Sequence, residues 1–134
     1  MTVLGNARAA IAKRSPDPQA RPVLVVEDDG GVRAFLVSVL QHQGYRVVAA
    51  ASGEEALQLL GDEPALLAVL DVGLPGMDGF AVADELAPDV PVIIVTGDPV
   101  HAYAQAQGRT SLNYQVLPKP VAPELLEHAV AAAL

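Results

Sequence analysis

The stretch Val23-Leu-Val-Val-Glu27-Asp28-Asp29 ends a run of four apolar residues on three carboxylates. Other segments also lead from an apolar run into a polar residue: Leu66-Leu-Ala-Val-Leu-Asp71, Val92-Ile-Ile-Val-Thr96 and Val116-Leu-Pro-Lys119-Pro120. Short runs rich in Val, Ile and Leu are typical of strands buried on both faces of a parallel sheet. Because ligands bind beyond the carboxyl ends of such strands, we expect these polar residues to line one crevice.

Helical patterns separate the strand-like segments. The predicted strands are Val23–Val26, Arg46–Ala50, Leu66–Leu70, Val92–Val95 and Gln115–Leu117. Apolar spacing and capping residues predict helices at about Gly30–Gln43, Ser52–Gly61, Gly79–Leu86, Pro99–Gln107 and Ala122–Leu134. This alternation predicts an α/β domain with right-handed crossovers and a parallel sheet covered on both faces. The doubly wound strand order 2-1-3-4-5 fits the count and makes strands one and three neighbours.

Length and composition restrict the class of protein. The chain has 134 residues, 51% of them hydrophobic, which suits a single globular domain. It has no cysteine, which excludes disulfides and thiolate chemistry. No apolar stretch approaches the roughly 20 residues of a membrane span, and the first residues lack a signal-peptide core. We therefore expect a cytoplasmic protein with no membrane partner.

Charge is unevenly distributed along the chain, whose net charge is −8. Residues 1–21 carry four basic side chains and one acidic one, whereas residues 22–134 carry four basic and fifteen acidic ones. Prolines in Ser15–Pro22 indicate a linker, so we predict a flexible N-terminal arm, 1–21, and one domain, 22–134. The acidic domain argues against binding to a phosphate backbone. The basic arm could touch nucleic acid or an acidic partner, but a solvated terminus is the preferred interpretation.

The carboxylates at the first and third strand ends suggest a metal site. Glu27, Asp28 and Asp71 would repel one another if brought together, and a hard dication would relieve that repulsion. We predict Mg²⁺ with Asp28 and Asp71 as direct ligands, Glu27 acting through water, and the backbone carbonyl of Gly73 as a further ligand. The alternative is a solvated turn with a helix-capping role, which we prefer for Asp29 alone.

Asp71 is the candidate nucleophile, because a carboxylate can attack an activated phosphoryl group to form an acyl phosphate. Catalysis of such a transfer is mostly positioning and charge neutralisation. Lys119 would pair with one phosphoryl oxygen and the Thr96 hydroxyl with another. Simpler interpretations remain open: Lys119 as a surface charge, and Thr96 as the cap of a turn before Gly97.

Taken together, these segments resemble the receiver domain of two-component response regulators. The matching residues lie within about 22–134 and comprise Glu27-Asp28, Asp71 with Leu74-Pro75 and Asp78-Gly79, Thr96, and Lys119-Pro120. The resemblance implies a flavodoxin-like three-layer (βα)5 sandwich. It also implies magnesium-dependent transfer of a phosphoryl group to Asp71 from a sensor histidine kinase or a histidine phosphotransfer protein, followed by slow autodephosphorylation. On that basis the chain is a signalling domain rather than an enzyme, with a cis Lys119–Pro120 peptide.

The chain departs from the family at the residue that usually couples to Thr96. An aromatic residue usually stands three positions before the lysine, but here the residue is Val116. Either Tyr114 substitutes through a local shift, or the surface of helix four, strand five and helix five responds differently. A homodimer through that surface is a further expectation.

The resemblance also implies where partners bind. A kinase or phosphotransfer protein would dock on helix one and the loop after strand five. Val32 and Phe35 of helix one are candidate contacts, although a core role is preferred for Phe35. Because the chain stops at helix five, we expect no DNA-binding domain and output through a downstream protein target. A receiver from a hybrid kinase would look the same.

Two other functions compete with this prediction. One is a receiver-like binding module that works without phosphorylation, an alternative supported by Val116. The other is a phosphatase of the haloacid dehalogenase class, which also uses an aspartate nucleophile and magnesium. Such enzymes have a second aspartate two residues after the nucleophile as the general acid. Gly73 stands there and cannot transfer a proton, which disfavours the phosphatase.

Overall fold

The computed structural model of the protein describes residues 20–109 and 113–134. Within them five strands alternate with five helices. The strands are β1 (Val23–Val26), β2 (Val47–Ala50), β3 (Leu67–Asp71), β4 (Val92–Thr96) and β5 (Tyr114–Pro118). The helices are α1 (Gly30–His42), α2 (Gly53–Leu60), α3 (Gly79–Asp84), α4 (Pro99–Gln107) and α5 (Pro123–Ala133). All but the last two residues of the predicted arm 1–21 lie outside the described residues.

The strands form one parallel sheet in the order β2-β1-β3-β4-β5. This confirms the predicted flavodoxin-like, doubly wound fold. Strands β1 and β3 are neighbours, with Val26 paired to Leu70, so the next residues, Glu27 and Asp71, lie level with each other. The sheet register therefore brings two carboxylates to one edge.

Helices cover both faces of the sheet, and each face has its own core. Side chains alternate across a strand, so successive β1 residues such as Leu24 and Val25 enter different cores. One core includes Phe80 of α3 and buried residues of α2 and α4. The other includes Leu36 of α1 and Leu126 of α5. Strands buried on both faces explain why the sequence shows apolar runs rather than alternation.

Several helices begin at the capping residues that the sequence predicts. The Asp29 carboxylate accepts a hydrogen bond from Val32 N at the start of α1, and Asp78 accepts one from Ala81 N at the start of α3. Each cap satisfies a backbone N–H that has no partner within the helix. These turns hold the loops after β1 and β3 in place.

Strand β5 bears on whether Tyr114 replaces the missing aromatic residue. Tyr114 pairs with Val92 at the start of β4, whereas Val116 pairs with Ile94. The ring of Tyr114 stacks on Phe80, with centroids 5.8 Å apart. Tyr114 is thus at the far end of the strand from Thr96, and no shift in register brings it closer.

No helix in residues 20–109 or 113–134 combines the length and apolar character needed to span a bilayer.

Candidate functional site

Three carboxylates meet at the carboxyl edge of β1 and β3. Glu27, Asp28 and Asp71 each offer an oxygen within 4.8 Å of the others. Glu27 is fully buried, Asp71 is 6% exposed, and Asp28 is open to solvent. Such a cluster is unfavourable without a compensating cation, because like charges at this separation repel one another.

Lys119, from the loop after β5, supplies one positive charge. Its Nζ lies 2.7 Å from Glu27 Oε1 and 3.3 Å from Asp71 Oδ2. Burial raises the pKa of Glu27, and Lys119 partly offsets that rise. Burial alone would lower the pKa of Lys119, but Glu27 and Asp71 together raise it. The ammonium is therefore held between the two buried carboxylates rather than free at the surface.

The loop after β3 fixes the Asp71 carboxylate. Gly73 N donates a hydrogen bond to Asp71 Oδ1 at 3.2 Å. The chain then turns through Gly76, whose φ of 75° is a left-handed conformation that favours glycine. A Cβ atom at Gly79 would overlap the carbonyl oxygen of Asp71, so only glycine lets α3 begin this close to the strand. Gly73 itself is exposed and leaves the approach to Asp71 open.

Thr96 ends β4 beside this cluster, because its neighbour Val95 pairs with Asp71. Thr96 is 6% exposed, and its Oγ1 accepts a hydrogen bond from Asp98 N at 3.0 Å. The hydroxyl therefore caps a turn, as the simpler interpretation held, and still has a proton to donate. The Asp98 carboxylate in turn accepts a hydrogen bond from His101 N, 3.2 Å away, at the start of α4.

Arg33 makes a contact that was not predicted from the sequence. Its Nη1 donates a hydrogen bond to the carbonyl oxygen of Glu27 at 2.9 Å, which ties the first turn of α1 to the end of β1. Glu27 Oε2 also accepts one from Asp29 N at 3.2 Å. The pKa of Asp29 is lowered mainly because its carboxylate accepts a hydrogen bond from Val32 N. One feature of the sequence could have indicated this contact: an arginine lies one turn into the helix that follows an acidic strand end.

An apolar groove lies beside Lys119. It has a volume of about 450 Å³, and its lining comprises Gly31, Val32, Phe35, Lys119, Pro120 and Val121. Val32 and Phe35 are half-buried and pack against the core on the α1 side, so each serves both the core and the groove. The Lys119–Pro120 peptide is cis, as the resemblance implies.

The donor set suits magnesium. Carboxylate oxygens are hard ligands, and an open side leaves room for the waters that Mg²⁺ retains. Glu27 Oε1 is buried and has no hydrogen-bond partner among the described residues, although Lys119 approaches it as an ion pair. The exposed Asp28 carboxylate faces the same cluster. The residues present therefore fit a divalent cation.

Comparison with known proteins identifies the family. Residues 23–131 match the response regulator receiver domain, and the chain belongs to that family. Its fold resembles the crystal structure of a CheY-like receiver domain protein from Methanospirillum hungatei. The TM-score is 0.72 at 28% identity, covering 86% of this chain and 94% of that one.

Two curated relatives to which the chain is similar are longer proteins. Over 116 residues it is 37% identical to the transcriptional regulatory protein AfsQ1 of Streptomyces coelicolor, covering 84% of this chain and 50% of AfsQ1. It is 30% identical over 112 residues to the sensor protein TorS of Escherichia coli, covering 81% of this chain and 12% of TorS. The chain thus spans about half of one relative and a small part of the other.

Proposed function

We propose that the protein is a phosphoacceptor: Asp71 takes a phosphoryl group from a phosphohistidine on a sensor kinase or a histidine phosphotransfer protein. The observation that carries the proposal is the placement of Asp71 beside Glu27 and Lys119 at an open sheet edge. Membership of the receiver family supports it. The domain signals by protein contact and turns over no separate substrate.

The transfer forms a bond between an Asp71 oxygen and phosphorus and breaks the bond from phosphorus to the histidine nitrogen. The electron pair of the broken bond stays on the imidazole. Asp71 is held for this reaction by its bond from Gly73 N. Lys119 lies close enough to turn from Asp71 Oδ2 towards a phosphoryl oxygen. The Thr96 hydroxyl donates to another.

Mg²⁺ bound at this site would neutralise the negative charge that develops on the phosphoryl oxygens. Asp28 and Asp71 are its proposed direct ligands, with Glu27 acting through water and Gly73 through its carbonyl. The closeness of Glu27 to Lys119 suits the indirect role, because one Glu27 oxygen already serves the ammonium. The groove along Val32 and Phe35 is the proposed docking surface for the phosphodonor protein.

Phosphotransfer profiling tests this proposal. Candidate histidine kinases carrying labelled phosphate are mixed with wild type, with Asp71→Asn and with Asp89→Asn, an exposed control. We expect label on wild type and Asp89→Asn, none on Asp71→Asn, and none when magnesium is chelated. Label that persists on Asp71→Asn would contradict the proposal. Repeated turnover of a small phosphomonoester would instead support the phosphatase.

A phosphorylation-independent binding module is the second candidate, and Val116 is the observation that favours it. Val116 is only half-buried and provides no ring to couple with Thr96. NMR shift mapping after phosphorylation with acetyl phosphate separates the two candidates. Shifts that reach α4 and α5 support a working switch, whereas modification of Asp71 with α4 to α5 unchanged supports the binding module.

A further inference from the structure

Asp98 links Thr96 to helix α4 through both its backbone and its side chain. Its N–H donates to Thr96 Oγ1, 3.0 Å away, and its carboxylate accepts from His101 N, 3.2 Å away. Its carbonyl oxygen accepts from Ala102 N. A movement of the Thr96 hydroxyl therefore changes the residue that begins α4.

Helix α4 is weakly held against the rest of the domain. Its buried residues are Ala102 and Ala106, and the structure describes all nine of its positions. Burial stabilises in proportion to apolar area, and two alanine side chains contribute little. Its sequence, Pro99–Gln107, contains no residue of the Asp, Glu, Lys or Arg type that could anchor it by an ion pair. Displacing its first turn therefore disrupts few contacts.

A cavity lies where α4 faces Val116. It has a volume of about 340 Å³ and is lined by Pro99, Val100, Tyr103 and Val116. Tyr103 is 58% exposed, so much of its ring is in solvent. Because Val116 is small, space remains beside β5 for an aromatic ring supplied by α4.

Tyr114 is poorly suited to respond to Thr96. Its ring stacks on Phe80, and the guanidinium of Arg109 lies 4.6 Å from the centroid of the same Phe80 ring. Arg109 is also ion-paired with Asp84 of α3. Tyr114 is therefore part of a fixed stack, which leaves Tyr103 as the aromatic residue beside Val116.

We propose that Asp98 is a positioning residue that transmits phosphorylation of Asp71 from Thr96 to α4, and that Tyr103 then closes over Val116. The inference rests on the proposed function. When Thr96 turns its hydroxyl towards a phosphoryl oxygen, Oγ1 leaves the Asp98 amide. The first turn of α4 then shifts through the Asp98 cap, and the ring of Tyr103 moves into the cavity.

Fluorine NMR of protein labelled with 3-fluorotyrosine tests this inference. The chain has three tyrosines, which Tyr→Phe replacements assign. Beryllofluoride with Mg²⁺ serves as a stable phosphoryl analogue, and its bound fluorides report adduct formation in the same spectrum. In wild type we expect the Tyr103 resonance to shift with the adduct while that of Tyr45, on the other side of the sheet, stays in place.

Two substitutions isolate the role of Asp98. Asp98→Ala removes the cap to His101 N, so the adduct should form while the Tyr103 shift is lost. Asp98→Asn keeps an acceptor oxygen and should keep the shift. A wild-type Tyr103 shift in Asp98→Ala, or an unmoved Tyr103 in the wild-type adduct, overturns the inference.

The remaining outcomes are also decisive. Absence of bound-fluoride signals in wild type would contradict the proposed function itself, and the inference with it. If Asp98→Ala does not fold, the His101 amide of wild type provides the test without a substitution. Its resonance must shift with the adduct, and an unmoved amide contradicts the inference.

Discussion

Lys119 is shared between Glu27 and Asp71, and the shorter of its two contacts is with Glu27. Nζ lies 2.7 Å from Glu27 Oε1 and 3.3 Å from Asp71 Oδ2. Glu27 is the residue level with Asp71 across β1 and β3, so the sheet register favours this sharing. The ammonium therefore stabilises the two buried carboxylates before any phosphoryl group arrives.

We predict that Lys119→Met lowers the free energy of unfolding by about 1–3 kcal/mol in metal-free buffer at neutral pH, because two buried carboxylates lose their charged partner. Urea denaturation measures the change. Saturating Mg²⁺ should reduce the deficit, since the cation replaces the lost charge. An equal deficit with and without Mg²⁺ would contradict this account of Lys119.

The same variant has a predicted pH dependence. The pKa of Glu27 is raised in the folded protein above its ordinary value of 4.5. The stability that Glu27 contributes is therefore complete below that ordinary value and is lost as pH rises through the folded pKa. Losing Lys119 raises the folded pKa further, so the deficit of Lys119→Met should be small in acid and grow towards neutral pH. A deficit that shrinks over that range would show the sign to be wrong.

Gly79 provides a steric test of the loop that holds Asp71. Gly79→Ala places a methyl group against the Asp71 carbonyl, which is backbone and cannot rotate away. We predict a loss of about 1–3 kcal/mol in the free energy of unfolding, the usual cost of overpacking. Gly97→Ala is the matched control, because a Cβ there meets nothing within 4 Å. Equal effects of the two substitutions would rule out the steric explanation.

Residues at the end of a strand, or directly after it, could be identified from the sequence. Glu27, Asp71 and Lys119 are of this kind, and the structure brings their side chains together. The bonds made by Asp98 and Arg33 could not be found in that way, because they depend on the path of a loop and the reach of a long side chain. The metal-binding roles of the carboxylates stay a prediction.

Among the secondary-structure elements, N-cap residues define where the helices begin. Ser52 Oγ accepts a hydrogen bond from Glu55 N at 3.3 Å, as the predicted capping box requires. The second hydrogen bond of the capping box differs from the usual pattern, because Glu55 Oε1 accepts from Ala51 N rather than from Ser52 N. The sequence spacing identifies the pair of residues, but the backbone entering α2 decides which N–H the carboxylate reaches.

We predict that Ser52→Ala lowers the free energy of unfolding by about 1 kcal/mol, because Glu55 N loses its partner. Ser38→Ala is the control, since Ser38 is exposed in the middle of α1, where alanine is at least as favourable. Thermal and urea denaturation of both variants measure the difference. A Ser38→Ala loss as large as that of Ser52→Ala would contradict a specific role for the cap.

At the scale of the whole molecule, the parallel sheet is what assembles the site. Four strand ends that are distant in sequence meet at one edge because β1, β3, β4 and β5 are adjacent. Alternation of strands and helices predicted the class of fold, but periodicity alone could not determine the strand order. The order depends on which strands pack together, and 2-1-3-4-5 was predicted because this doubly wound order fits the number of strands.

A metal ion at this edge should stabilise the entire domain. Binding to the folded state alone at about a hundred times the dissociation constant adds about 2.7 kcal/mol to the free energy of unfolding. We predict such a gain with Mg²⁺ for wild type and most of it lost in Asp28→Asn. The control Asp62→Asn, exposed beyond α2, should keep the gain. Equal gains in both variants would exclude Asp28 as a ligand.

Chemical trapping tests directly whether Asp71 accepts a phosphoryl group at this edge. Borohydride reduces an acyl phosphate but spares free carboxylates, so it converts a phosphorylated aspartate into homoserine. After phosphorylation with acetyl phosphate and Mg²⁺, reduction and peptide mass spectrometry should find homoserine at position 71 and at no other aspartate. Homoserine at Asp28 or elsewhere with Asp71 intact, or none at any position of a phosphorylated sample, would contradict phosphorylation of Asp71.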